Sequence, residues 1–591
     1  MTVTPRGLRP PYPIVTRLAG ARTVDRSGAA LMTVTEAPRD VVEVAAAPAL
    51  SAPPTGLAAL VGSGDPRTVG KLFIGTSLLF LLAAGVAGVL IGFERVDLSG
   101  IEVLDRDIVQ QVFTLHSTAG VFLGVLPLLI GLATAIVPLQ VGASTIAFPR
   151  ASAAAYWTFL VSGGIILASY ALDGGPFGND SEAVDLFVVA FIALLVALAV
   201  ATVSVVTTVL TLRAPGMSLR RTPLFSWSVL VGGTVWLLTL PVLAGVLLLV
   251  YLDLRYGQQF LGGSGGIYNR IAWVFWQPTV YAFAVPALGI IADIVPTFAR
   301  RRHQQHRVAM VLIGLFAALG FGAWAQLGFT IDGSDSPAEW LYDGPWIAVG
   351  VLALLPIVGL LGLWAATLGR GTVRLGSPLI LALLAGLLLA AGVAAGVVTV
   401  IEEADVATTT WMTGQAYLVL IGTLVAAAAG LTFWAPKVYG KLLPDGLVRL
   451  GGTLLALGAL AAGIAYGLAG LYDQPRVIAA DGTVSGVSEV DLVETLNLVG
   501  AVGLTVAVVG ALAVATALLK PARRGDWPGD DPWEGHTLEW ATPSPPPIGN
   551  FAALPEITSE APLYDARYAP TGGEANEDSE GPSTTSTKAP A

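Results

Sequence analysis

FTLHSTAGVFLGVLPLLIGLATAIVPLQVGASTIAFPR occupies residues 113–150. Its first 25 residues carry one titratable side chain, His116, in an otherwise apolar run that ends at Pro138 and Gln140. A helix needs about 20 apolar residues to cross the hydrocarbon core of a bilayer. The run therefore predicts a membrane span near 112–137, with a lone imidazole inside it.

The same pattern recurs on both sides of that stretch. Apolar runs of similar length stand near 72–93, 152–171, 184–212, 227–252, 271–298, 308–329, 345–367, 376–401, 413–435, 450–471 and 495–519. With 112–137 they predict an all-α, polytopic membrane protein of twelve transmembrane helices. Composition agrees: 54% of residues are hydrophobic and 12% are charged, and mean hydropathy is +0.73. A water-soluble domain of this length would need far more polar surface. Cysteine is absent, which excludes disulfides, thiolate metal sites and cysteine nucleophiles. No P-loop, dinucleotide-binding glycine motif or basic nucleic-acid patch is present, so no nucleic-acid partner is expected.

Three segments follow from the composition. Residues 1–66, rich in Pro, Ala and Arg, are expected to form a disordered cytoplasmic arm. Residues 67–524 hold the twelve spans. Residues 525–591, with SerProProPro and many acids, are expected to be a tail with no packed core. Cations set the orientation. One set of loops holds Arg150, the 213–221 and 300–307 clusters, Arg370, Arg374 and Lys437–Arg449. The other holds only Arg95, Arg106, Arg255, Arg270 and Arg476. Both termini are accordingly expected in the cytoplasm, and the Ala/Gly/Val/Leu bias points to a bacterial plasma membrane.

Five strings carry a resemblance. They are the 113–150 stretch, LRAPGMSLRRTPLFSWSVLV (212–231), YAFAVPALGIIADIVPTFARR (281–301), LTFWAPKVYGKLLPDGL (431–447) and DPWEGHTLEWATPSPPPIGNF (531–551). In this order they resemble subunit I of the haem–copper oxidases, of cytochrome c oxidase type. The resemblance runs from about residue 65 to 556. It implies a twelve-helix bundle, two haems and one copper ion, all held by intramembrane histidines.

Only four histidines occur in the chain. His303 and His306 lie in the loop ArgArgArgHisGlnGlnHisArg (300–307), and His536 lies in the tail. The resemblance places His116 at a low-spin haem ligand. Other ligand positions hold residues that are poor donors to iron or copper, because those metals need neutral imidazole nitrogens. The helix VI motif Gly-His-Pro-Glu-Val-Tyr is matched by Trp276, Gln277, Pro278, Thr279, Val280 and Tyr281. Gln277 thus stands at a copper ligand and Thr279 at the proton-delivering acid, while the motif's tyrosine survives as Tyr281. On helix VII both copper histidines are replaced, by Gln326 and Leu327. On helix X, counting back from Trp434 and Pro436 puts Gly414 at the high-spin ligand and Ala416 at the second low-spin ligand. Thr145 and Leu360 stand where proton-channel residues are expected, and Arg476 keeps half of a haem-propionate clamp.

These substitutions imply no catalytic residue at Gln277, Thr279, Tyr281, Gln326, Leu327, Gly414 or Ala416, and no metal site. They imply no cofactor, or at most one haem through His116 with Met412 opposite. Trp276, Trp411 and Met412 are candidates to fill the vacated space. The expected role is a non-catalytic structural or assembly paralogue in a respiratory membrane complex, among other membrane subunits in the lipid bilayer. A cytochrome docking on the acidic loops (Asp332, Asp335, Asp343, Glu402, Glu403, Asp405) is a further candidate partner. The alternatives are an active terminal oxidase with rearranged ligands, or a conduit for protons or a small molecule through the former active site.

Overall fold

The computed structural model describes residues 56–96, 103–104, 106–260, 271, 279–326, 350–399, 404–477, 487–520 and 529–568. Ten of its helices are long and apolar enough to cross a membrane. In chain order they are α1 (Pro66–Glu94), α2 (Ile108–Gln140), α3 (Pro149–Ala171), α4 (Ser181–Thr211) and α5 (Leu224–Tyr256), then α8 (Gly350–Gly369), α9 (Ser377–Val398), α10 (Thr410–Phe433), α11 (Asp445–Gly470) and α12 (Val490–Leu519). Two shorter apolar helices, α6 (Val285–Ala299) and α7 (His306–Gly320), stand where the sixth and seventh spans are expected. The residues that would complete them, 272–278 and 327–349, lie outside the described residues.

Helix starts follow local capping chemistry. Asp65 caps α1 by accepting the Thr68 amide at 3.1 Å, with Pro66 in the first turn where its missing N–H costs nothing. Asp180 accepts the Ala183 amide at 2.8 Å to start α4, and Thr409 accepts that of Trp411 at 3.2 Å to start α10. Inside α2, Pro127 cannot donate to the preceding turn, and the helix widens to a π-helical turn over Ala119–Val125, just past His116.

Helices that follow each other in sequence mostly pack together, and α12 returns to pack on α1. Burial separates two of the long helices from the rest. In the most apolar 18 residues of α2, 94% are buried, and 78% in α10, against 33–56% in the other eight long spans. These two, which carry His116 and the Gly414–Tyr417 run, form the interior of the bundle together with α6, every residue of which is buried.

The tail departs from expectation. Residues 529–568 fold over one end of the bundle, and Leu538, Glu539, Trp540 and Ile557 are buried there. Trp540 meets Phe433 edge-on at 5.0 Å, and the Trp533 indole donates to the Phe433 carbonyl at 2.9 Å. A Pro-rich segment builds no core of its own, but it lays its few apolar residues onto one that already exists.

Candidate functional site

His116 lies where α1, α2 and α10 meet. Its imidazole rests on Gly88 of α1; a Cβ added there would come within 2.5 Å of His116 Cε1, so only glycine leaves room for the ring. Nδ1 is 2.7 Å from the Ala84 carbonyl and Nε2 is 3.0 Å from the Tyr417 hydroxyl. A carbonyl only accepts, so Nδ1 carries the proton and Nε2 accepts from Tyr417. Both ring nitrogens are committed to the protein.

The helix X positions divide sharply. Gly414 faces α11: a Cβ built there would lie 2.4 Å from the Gly463 carbonyl oxygen and 2.7 Å from the Gly467 nitrogen. Gln415 donates to the Tyr281 hydroxyl at 3.0 Å, and the buried Tyr281 ring stacks obliquely on Phe316 at 5.4 Å. Ala416 and Tyr417 face the other way, toward α2, and border a cavity of about 180 Å³ that His116 and Leu128 also line. Among the described residues its walls are apolar apart from His116, Ser117, Thr413, Tyr417 and Arg476. The Arg476 carbonyl accepts from the Arg95 guanidinium at 2.6 Å, and its amide bonds the Thr408 carbonyl at 3.0 Å.

Of the candidates to fill the vacated space, Trp276 lies outside the described residues, and Trp411 and Met412 do not line this cavity. The Trp411 indole instead donates to the Ala395 carbonyl at 2.9 Å, which turns it toward the end of α9. Trp276, Gln277 and Leu327, and the side chains of Thr279 and Gln326, lie outside the described residues. So do Asp332, Asp335, Asp343, Glu402 and Glu403; Asp405 is described. Thr145 is half-buried on the connection from α2 to α3, and Leu360 is wholly buried on α8.

Sequence reasoning missed a second polar centre, at the tail-bearing end. Gln140 at the end of α2 donates through Nε2 to Asp293 of α6 at 2.8 Å and to Glu539 of the tail at 3.1 Å. Its Oε1 accepts from the Ser226 amide and hydroxyl at 3.2 and 2.7 Å. Asp293 also accepts the Leu224 and Phe225 amides, at 3.0 and 3.2 Å, and Glu539 accepts the Trp434 indole N–H at 3.0 Å. The available signal was Asp293 itself, a lone acid in the apolar run IIADIVP, which needs a partner at such a depth.

Since both His116 nitrogens hold hydrogen bonds, His116→Ala is expected to leave the Tyr417 hydroxyl without its acceptor and to remove a second bond from the Ala84 carbonyl, at a cost of about 1–3 kcal/mol. Thermal unfolding in detergent would show it as a lowered midpoint. An unchanged midpoint would mean that these two bonds carry no net stability.

Comparison with known proteins places this geometry. The family described as Cytochrome C and Quinol oxidase polypeptide I matches residues 68–506. Cytochrome c oxidase subunit 1 of Bacillus subtilis (strain 168) is 29% identical over 518 residues, 83% of this chain and 82% of that protein. Cytochrome c oxidase subunit 1 of Thermostichus vulcanus is 28% identical over 517 residues, 84% and 90% of the two chains. Among solved structures, a haem–copper terminal oxidase dimer shares the fold with a TM-score of 0.62 at 16% identity, over 78% of this chain and 85% of that one.

The match corrects one expectation. A chain with no cofactor, or at most one haem on His116, is not what this family implies, because its members bind haems and copper. The described residues do not fit that ligand set as they stand. Gly414 and Ala416 offer no side-chain donor, and both nitrogens of His116 are engaged.

Proposed function

The chain belongs to the family of cytochrome c and quinol oxidase polypeptide I, and from that premise we propose that it is a subunit I-like component of a respiratory membrane complex that does not itself reduce dioxygen. Its role is structural or assembly-related, beside other membrane subunits, with a cytochrome as a further partner at the acidic loops. The proposal includes twelve spans, both termini in the cytoplasm and residence in a bacterial plasma membrane.

One observation carries this reading. The α10 position aligned with the high-spin haem ligand is a glycine pressed against the α11 backbone, with no space for a side chain. The identities of Gln277, Gln326 and Leu327 at the copper positions support it from the sequence. Thr279 supports it at the proton-delivering position.

What the remaining residues do is hold helices together. Tyr281 and Gln415 tie the turn before α6 to α10, His116 ties α1 and α2 to Tyr417 of α10, and Gln140 ties α2 to α5, α6 and the tail. The conduit reading rests on Gln277 and Gln326, whose side chains lie outside the described residues.

The second reading is an active terminal oxidase, favoured by the names of relatives aligned along most of their length. An oxygen electrode separates the two. Purified chain supplied with reduced cytochrome c, or with a quinol, is expected to consume no dioxygen above the buffer rate. Turnover near the typical enzyme value of about 10 per second would overturn the proposal. Cross-linking in native membranes is expected to join the chain to other respiratory subunits.

A further inference from the structure

The basic loop singled out in the sequence takes no part in the site above, yet the structure builds it into a polar pocket. Three segments meet there: the α4–α5 connection, the turn from α6 into α7, and the tail near Ser559. Arg220, Arg221 and Arg307 line it, opposed by one carboxylate, Glu560, which pairs with Arg302 at 3.9 Å. Arg221 bonds the Gly216 and Ile557 carbonyls at 2.9 and 3.1 Å and so fastens the tail across the pocket. Arg220 and Arg307 make no ion pair among the described residues.

His303 and His306 give the pocket its second character. His303 Nδ1 lies 2.7 Å from the Gln304 carbonyl, and His306 bonds the Thr222 backbone. Nε2 of each ring is buried and has no partner. A carbonyl fixes the proton of His303 on Nδ1, so its Nε2 presents a bare lone pair, an acceptor rather than a donor. Burial and the neighbouring His306 push His303 down to about 4, which keeps the ring neutral at physiological pH. No group of three or more His, Cys, Asp or Glu placed to hold a metal ion exists among the described residues.

The pocket thus offers unpaired guanidinium donors beside unpaired imidazole acceptors. Its complement must carry anionic oxygens and a hydroxyl donor on the same centre. We propose that Arg220, Arg307, His303 and His306 form a binding site for a phosphate group that retains a P–OH, namely inorganic phosphate or the monoanion of a phosphomonoester. The arginines bind the P–O⁻ oxygens, and an imidazole Nε2 accepts the P–OH proton. Sulfate and phosphodiesters match the arginines but lack that hydroxyl, which leaves the Nε2 atoms unsatisfied.

The test uses the full chain. By calorimetry in detergent, inorganic phosphate is expected to bind at least about tenfold more tightly than sulfate, the effect of one charge-assisted hydrogen bond. His303→Ala with His306→Ala should abolish that preference, while Arg220→Ala with Arg307→Ala should weaken both anions by about tenfold or more. In nanodiscs, retention of phosphatidic acid over phosphatidylglycerol without uptake of free phosphate would assign the group to a lipid headgroup. Uptake of free phosphate in phosphatidylglycerol discs would assign it to a soluble source. Equal affinity of wild type for phosphate and sulfate overturns the proposal, and so does no binding of either phosphate or phosphatidic acid; neither result depends on a variant folding.

Discussion

Gln140→Leu is expected to free the C-terminal tail and to destabilise the protein by about 1–3 kcal/mol, the range for leaving buried polar groups without a hydrogen-bond partner. Gln140 is wholly buried and uses both ends of its amide. One nitrogen serves Asp293 and Glu539 together, and the oxygen serves Ser226. Leucine fills the same space and supplies none of this. Asp293 would keep the Leu224 and Phe225 amides, but Glu539 would keep only the Trp434 indole among its partners outside its own turn. Limited proteolysis should then cut the tail near residue 540 at a rate the wild type does not show, and melting in detergent should fall. Wild-type resistance to protease would refute the assignment of Gln140 as the hub.

The same network makes tail docking depend on pH. Burial holds the Glu539 carboxyl above its ordinary range. The folded chain therefore keeps this proton at pH values where the unfolded chain has released it. Protons bound in excess by the folded state make stability fall as pH rises. Docking should be firmest below the unfolded carboxylate value of about 4.3 and weaken toward neutrality. Lys437, lowered by burial to about 8, acts in the opposite direction above that value, where the unfolded chain holds the extra proton. His536 of the tail, lowered by burial to about 3, also opposes Glu539 below its free value of 6.5, so the Glu539 part is read by difference: Glu539→Gln is expected to remove the share of tail proteolysis that rises from pH 5 to pH 7 in the wild type.

Restoring histidine at the helix X positions should give opposite results at two sites. Gly414→His is expected to separate α10 from α11, because its Cβ alone would overlap the Gly463 carbonyl, which is backbone and cannot turn aside. Overpacking of a core typically costs about 1–3 kcal/mol, and a full imidazole here belongs at or beyond the upper end. Ala416→His meets the cavity of about 180 Å³ instead and should fold with near wild-type stability. Melting temperatures of the two variants in one detergent are the measurement. Equal losses would show that Gly414 is not a helix contact.

The long spans were legible because a bilayer demands apolar length, and α2 and α10 stood out further through the strings flanking them. The tail was not legible, since composition weighs prolines and acids over Leu538 and Trp540, two side chains that dock on a surface built by other segments. At 414 the sequence showed the absence of a ligand but not what glycine is for. Close backbone approach between α10 and α11 is a property of two segments about 50 residues apart, and no local pattern records it. His116 was found at once as a lone imidazole in an apolar run. Its saturation by Ala84 and Tyr417 depends on two other helices.

The buried position of Glu539 has a bearing on biogenesis. At about 5–20 residues per second, the ribosome adds the residues between the end of α12 and Trp540 only seconds after the last helix is made. Until then Gln140 and Asp293 lack the Glu539 carboxylate that completes their network. A chain cut before residue 529 can thus insert every helix and still leave Gln140 without its Glu539 partner, a defect open to the cell's quality control.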